Sequence, residues 1–197
     1  IGDFVEDYEA IFPYQATLMA GHHIDTASPG KDAGSTVVTA IHDFEGFQTY
    51  TEKRGHNFPI TIDWGLVDEA TYDALIIPGG RSPEFLQLDE RVIEIVQKFF
   101  ADNKPVASTC HGGLILAAAE VVEGRRCQAY PSCWRELAWA GAIWEEPTPG
   151  YDGVTVDGNL VTAAAWPGNP AWMRENAISI SASFSESRNS NANSSPP

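Results

Sequence analysis

Basic residues are scarce in this sequence. The 197 residues include 12 Lys plus Arg against 27 Asp plus Glu, a formal net charge of −15. A phosphate backbone or an anionic membrane surface would be repelled at most approaches, so no nucleic acid and no membrane is expected as a partner. Cysteine is sparse too: three residues, an odd number, with no C-x-x-C pair. That excludes a disulfide framework and offers no metal-ligand spacing, so the thiols read as reduced and the protein as cytoplasmic. No apolar run approaches the roughly 18 residues of a membrane span, and no charged-then-apolar leader opens the chain. There is no internal repeat, and the Gly79-Gly80 pair does not extend to G-x-G-x-x-G, so no nucleotide or other cofactor is expected.

What is present is core material. With 43% hydrophobic residues, the length suits one compact domain that buries roughly 70% of its extended surface. Asp7–Gly21 places Ile11, Tyr14, Leu18 and Met19 at helical spacing, with Gly21 as a C-terminal cap. Ile24–Ser28 reads as a short strand before the Pro29-Gly30 turn, and residues 39–61 as a hairpin or excursion. Tyr72–Ile77 reads as a buried strand stopped by Pro78-Gly79-Gly80. The clearest amphipathic helix is Asp89–Asn103, with Val92, Ile95, Val96, Phe99 and Phe100 on one stripe. A strand at Pro105–Thr109 runs through Cys110-His111-Gly112-Gly113 into an Ala-rich apolar helix over Leu114–Val122. Further strands are expected at Arg126–Tyr130 and Ala142–Glu145, and Val154–Val156 and Leu160–Thr162 flank Asp157-Gly158-Asn159 as a hairpin. Alternating strands and helices predict an α/β domain, a flavodoxin-like three-layer sandwich with a mainly parallel sheet covered on both faces. It is expected to occupy residues 1–184, with its first strand truncated before Gly2-Asp3. The Ser/Asn/Pro-rich residues 185–197 are expected to be a disordered tail.

Ligands of open α/β sheets bind at the carboxyl ends of the strands, and three polar clusters fall there. One is Glu6, Asp7 and Glu9 at the start of the first helix; the second is the loop Gly79–Glu84; the third is Cys110-His111. Cys110 stands between a buried strand and a Gly-started helix, the strand-turn-helix context that exposes the nucleophile in G-x-S-x-G elbows. A helix N-terminus is expected to lower the thiol pKa and make the sulfur nucleophilic and oxidisable. A lone cysteine at a strand end is commonly inert core; the elbow context favours function here. Cys127 and Cys133 lack that context and read as packing residues. His22-His23 reads as a solvated pair, His42 and His56 as part of the excursion with no metal spacing, and the tryptophans as core or interface.

The segments GDFVEDYEAIFPYQ, AIHDFEGFQTYTEKRGHNF, YDALIIPGGRSPEFL, KPVASTCHGG and VDGNLVTAAAWPGNP together resemble the PfpI-like intracellular protease superfamily. That superfamily includes the parkinsonism-associated deglycase and is related in fold to class I glutamine amidotransferases. The excursion containing HDFEG is similar to the long-loop subgroup of plant glyoxalase III proteins, whose chains often carry two such domains in tandem. The resemblance implies that Cys110 is the elbow nucleophile and that Glu9 hydrogen-bonds it and exchanges protons, with Glu6 the rival one turn earlier. It implies that His111 follows the nucleophile as the family's histidine, and that Glu84 reaches the histidine of a neighbouring subunit in protease-like members. The backbone amides of Gly80 and His111 would form the oxyanion hole. The implied activity is a cofactor-free glyoxalase III type conversion of methylglyoxal and related 2-oxoaldehydes to 2-hydroxy acids, or deglycation with the same residues. The alternatives are a PfpI-type cysteine peptidase using Cys110, His111 and Glu84, and a redox-responsive chaperone or sensor in which Cys110 is oxidised beside Glu9. A homodimer, higher oligomer or tandem-domain partner is expected. One departure stands out: residues 171–184, where the family closes with an amphipathic helix, carry only a weak apolar stripe.

Overall fold

A computed structural model describes residues 1–192, with side chains described up to residue 181. The short strand β1 (Val5–Glu6) feeds directly into helix α1 (Asp7–Met19). Glu6 is the N-cap, its Oε2 accepting from the Glu9 amide at 2.8 Å, which satisfies one of the orphan donors of the first turn. The helix stops at Ala20, and Gly21 follows in the left-handed region with φ 82°.

The expected excursion is a hairpin, β2 (Thr36–Asp43) with β3 (Thr51–Pro59), antiparallel and broken by a register shift between Val38 and Ala40; β1 joins β2 in parallel. The second sheet is built from β4 (Leu75–Ile77), β5 (Val106–Thr109), β8 (Val154–Asp157) and β9 (Leu160–Ala163) in the order β4-β5-β9-β8. Its β4, β5 and β9 are parallel; β8 folds back antiparallel on β9 through Gly158-Asn159, as the hairpin pattern predicts. β6 (Arg126–Cys127) and β7 (Ile143–Trp144) form a small parallel pair. The first two sheets touch through one bridge, Val5 with Gly80, so the start of α1 lies beside the loop after β4.

Helices pack on these strands for local reasons. α2 (Ser82–Leu86) is a short turn after that loop, and α3 (Glu90–Ala101) is capped by Asp89 and buries Ile95, Val96 and Phe99. α4 (Gly113–Ala118) is buried along most of its length, and α5 (Trp134–Trp139) anchors through Leu137. The closing helix α6 (Asn169–Ala192) forms despite its weak stripe. Trp172 holds it: the side chain is fully buried against Ala107, Val161 and Ala163, and its indole N–H donates to the Val161 carbonyl at 3.2 Å. No Pro or Gly interrupts residues 171–195, so the helical backbone continues over 185–192, where the sequence reads as a tail. Residues 193–197 of that expected tail lie outside the described residues.

One expected element is absent. Ile24–Ser28 forms no strand; its backbone is held by isolated bonds, Thr61 N–H to the Thr26 carbonyl at 2.9 Å and the Ile1 amine to the Ala27 carbonyl at 2.9 Å. The physical reason is the lack of a neighbouring ladder. Among the described residues β4 pairs only with β5, and between β4 and this segment lies a cavity of about 540 Å³ walled by residues such as Ile24, Phe58, Leu75, Ile77, Ile95 and Phe99. Among the described residues no helix is long and apolar enough to cross a membrane.

Candidate active site

β5 delivers Cys110 with φ 55°, a left-handed backbone that a non-glycine residue adopts only at a cost of about 1–3 kcal/mol. The 3₁₀ turn Cys110–Gly112 then leads into α4. Close packing makes this sharp corner possible. A Cβ on Gly112 would lie 2.7 Å from the Ile77 carbonyl oxygen, and one on Gly79 would lie 2.6 Å from Glu9 Oε2, 2.8 Å from the His111 amide and against Cys110 Cβ. Both glycines are therefore required by approach distance.

Cys110 is buried, and its thiol is pushed well above the ordinary range, first by burial and then by the Glu9 charge; the Gly80 and His111 amides aimed at the sulfur oppose this. This reverses the expectation of a thiol acidified by a helix N-terminus. The turn and the six-residue α4 offer little dipole, and desolvation of an anion with no cation beside it outweighs that. At rest the sulfur is a thiol.

The structure separates the two rival glutamates by role. Glu9 is fully buried; its Oε2 accepts from the Gly79 amide at 2.9 Å, its Oε1 has no hydrogen-bond partner among the described residues, and the carboxyl lies beside Cys110 in the same hollow. Burial, then the Glu6 charge, raise its pKa well above the usual carboxylate range. Glu6 is equally buried but serves as the cap of α1, with burial pushing it up to about 7. Asp7 turns away from the thiol to Thr39 and His56, Nδ1 of the latter lying 3.0 Å from Asp7 Oδ1.

His111 is buried with Nδ1 3.4 Å from Cys110 Sγ and Nε2 3.1 Å from Ser132 Oγ. Burial, then the His42 charge, lower its pKa to about 4, so the ring is neutral near pH 7. Glu84 is exposed on α2 and makes no hydrogen bond or ion pair with His111 among the described residues. Cys110, His111, Glu9 and the Gly80 and His111 amides thus converge; Glu84 does not join them.

Several lining residues carried no signal as site residues in the sequence. The hairpin swings Phe44 and Tyr50 over the thiol, where Phe44 stacks on Trp166 (centroids 5.9 Å, 15°) and on Tyr130 (6.2 Å, 9°), while Tyr130 stacks on His111 (5.3 Å, 21°). His42 Nε2 lies 3.1 Å from Glu52 Oε2, and Arg81 grips Glu52 with Nε and Nη2 at 2.6 and 2.8 Å, pinning the hairpin to the Gly80 loop. Phe44 and Tyr50, aromatics within a largely polar excursion, were the available hint. What remains over Cys110 is a hollow of about 10 Å³, near the volume of one water probe. Among the described residues no group of His, Cys, Asp and Glu is arranged to hold a metal ion.

The chain is similar to known proteins over most of its length. The family model described as DJ-1/PfpI matches residues 1–178. The protein named DJ-1 homolog D of Arabidopsis thaliana is 50% identical over 174 residues, covering 88% of this chain and 45% of the relative. The deglycase PfpI of Pyrococcus furiosus is 36% identical over 171 residues, covering 86% of this chain and 90% of that protein. The chain thus spans less than half the length of the plant relatives it matches. Among solved structures, a ThiJ/PfpI domain protein from Brachyspira murdochii gives a TM-score of 0.74 at 19% identity, covering 92% of both chains. DJ-1 of Schizosaccharomyces pombe gives 0.70 at 17% identity, covering 94% of both; these two show the shared fold.

Proposed function

The chain belongs to the DJ-1/PfpI family, and from that premise we propose that it is a cofactor-independent glyoxalase III type enzyme converting methylglyoxal and related 2-oxoaldehydes to 2-hydroxy acids. Deglycation of early glycated amines would use the same residues, and several archaeal relatives, among them those of Pyrococcus horikoshii and Pyrococcus furiosus, are named deglycases. The observation that carries the reading is the fully buried Glu9 carboxyl set beside the buried Cys110 thiol, both lining the hollow under the hairpin's aromatic rings. Two neighbouring acids that are both neutral at rest can deliver a proton before they remove one.

In this reaction Sγ bonds to the aldehyde carbon while the carbonyl electron pair moves to oxygen, which takes the Glu9 proton; the thiol proton passes to His111 Nδ1. The product is a hemithioacetal, with the Gly80 and His111 amides as donors near the reacting centre. Glu9, now ionised, removes the C1 hydrogen as a proton while the ketone oxygen takes the proton from His111, giving an enediol. Glu9 returns its proton to C2 and a hydroxyl proton goes back to His111, leaving a thioester. Water then cleaves the thioester, releasing the 2-hydroxy acid and restoring the thiol and the carboxylic acid. No oxidant or reductant is consumed.

The peptidase reading needs Glu84 from a neighbouring subunit, because Glu84 of this chain is exposed and makes no hydrogen bond with His111 among the described residues. The redox reading needs an easily ionised thiol, which burial opposes. The proposed partners are therefore a small neutral aldehyde and, through oligomerisation or a tandem domain, another copy of the fold. Purified protein is expected to consume methylglyoxal without glutathione. Cys110→Ala should abolish turnover, and Glu9→Gln should lower it by about 10²-fold or more; full activity in either variant, or none in the unaltered protein, overturns the proposal.

A further inference from the structure

His111 has two ring nitrogens and two different neighbours. Nδ1 lies 3.4 Å from Cys110 Sγ, while Nε2 lies 3.1 Å from the hydroxyl of Ser132. The ring cannot swing freely between them: Tyr130 stacks on it at 5.3 Å and Tyr50 meets it edge-on at 5.9 Å. We propose that Ser132 is the positioning residue of the Cys110–His111 pair, its hydroxyl oxygen accepting the Nε2 proton so that the Nδ1 lone pair faces the thiol. This deepens the proposed reaction and rests on Cys110 being its nucleophile.

The tautomer follows from what surrounds the ring. Cys110 at rest is a thiol and Glu9 a carboxylic acid, both kept neutral by burial. The thiol proton therefore needs an acceptor, and Nδ1 is the ring nitrogen within reach of the sulfur. A neutral imidazole with a free Nδ1 carries its proton on Nε2, and the group there is Ser132. Ser132 sits at the exposed middle of the 3₁₀ turn Pro131–Cys133, so its own hydrogen can go to water, or toward Cys133 Sγ at 4.0 Å. Backbone bonds place that turn: the Tyr130 amide donates to the Cys110 carbonyl and the Cys133 amide to the Tyr130 carbonyl.

A hydroxyl in this position differs from a carboxylate in having no charge. It orients the ring and selects its tautomer but gives an imidazolium no ion-pair support, in keeping with the neutral ring described above. His111 then takes the thiol proton only as the sulfur–carbon bond forms, and no thiolate–imidazolium pair stands ready beforehand. Nε2 has room for one such partner, so a Glu84 brought by a neighbouring subunit would have to displace Ser132. The titratable groups packed around His111 are His42, Tyr50, Cys110, Tyr130 and, beyond Ser132, Cys133.

Nitrogen-15 spectra of the histidine-labelled protein test this without any variant, and His111 is expected to be the Nε2-protonated tautomer at neutral pH. Ser132→Ala should redistribute the ring between tautomers and slow alkylation of Cys110 by iodoacetamide about three- to tenfold, the worth of one lost hydrogen bond. Ser132→Thr should restore both, and methylglyoxal turnover should follow through kcat with KM unchanged. A Nδ1-protonated ring in the unaltered protein, or a Ser132→Ala protein with unchanged tautomer and alkylation rate, overturns the assignment. If tautomer and alkylation respond as expected while methylglyoxal is never consumed, the role of Ser132 stands and the glyoxalase reading falls.

Discussion

Two hollows of the molecule differ sharply in size and lining, and the smaller one holds the candidate site. Over Cys110 there is about 10 Å³, bounded by two buried glutamates, two histidines and stacked aromatic rings. Between β4 and the Ile24–Ser28 segment there is about 540 Å³, bounded mainly by aliphatic and aromatic side chains. Volume alone would direct attention to the second. Its polar rim is already satisfied: Asp25 accepts from Tyr72 Oη at 2.8 Å and from Thr61 Oγ1 at 2.9 Å, with His23 Nε2 at 2.9 Å. The small hollow instead contains groups whose protonation is displaced by burial and by one another, which marks a site arranged for proton transfer. A large apolar void weakens the packing of its walls, whereas a small polar one is costly to build and must be maintained by exact glycine placement and N-capping.

Four substitutions sharpen or break this contrast. The largest effect is expected in the core away from both hollows. Leu116→Ala, at a fully buried position, should cost about 3–5 kcal/mol, whereas Leu75→Ala, whose side chain borders the large cavity, should cost about half as much because it has fewer contacts to lose. Urea unfolding of the two variants measures the difference; equal costs would mean that the cavity is closed in solution. Next comes Gly79→Ala, whose new methyl would press on Cys110, Glu9 and the His111 amide. Methylglyoxal turnover should fall by about a hundredfold, near 2.7 kcal/mol, through misplacement of reacting groups. A variant with unaltered kcat would show that the small hollow is more yielding than its packing suggests.

The smallest effect concerns Glu6. Its folded pKa of about 7 lies above the ordinary 4.5, so burial is tolerated in the protonated form below about pH 4.5, and stability is lost as pH rises through about 7. The loss amounts to roughly 3 kcal/mol. Glu6→Gln keeps an acceptor for the α1 cap but cannot ionise. Its melting temperature should match the unaltered protein at pH 4 and exceed it increasingly up to about pH 8. Parallel melting curves across that range would show that Glu6 is not the group that titrates.

Local pattern was enough for some of this. The stripe Val92, Ile95, Val96, Phe99 describes α3 because a helix samples its neighbours every three to four residues, and Asp157-Gly158-Asn159 describes the β8–β9 hairpin because its turn is closed by local backbone geometry. Ile24–Ser28 shows the limit. Its composition suits a strand, but a strand needs a continuous ladder, and this segment makes only isolated bonds, as to Pro59, Thr61 and the Ile1 amine. The weak stripe of residues 171–184 misleads in the opposite direction, since one indole, Trp172, with partners from β5 and β9, is enough to seat α6.

The site divides along the same line. The sequence by itself determined the elbow, the acidic start of α1 and the Gly79-Gly80 loop, because turn chemistry and motif spacing are properties of adjacent residues. Only the tertiary structure decided that Glu9 reaches the thiol while Glu6 caps the helix, that the thiol is raised and not lowered, and that Ser132 stands behind His111. Each of these depends on desolvation or on contacts across tens of residues, from Glu9 to Gly79 and from His111 to Ser132. A linear sequence contains the groups but not the dielectric around them, and that environment decides which of them holds a proton.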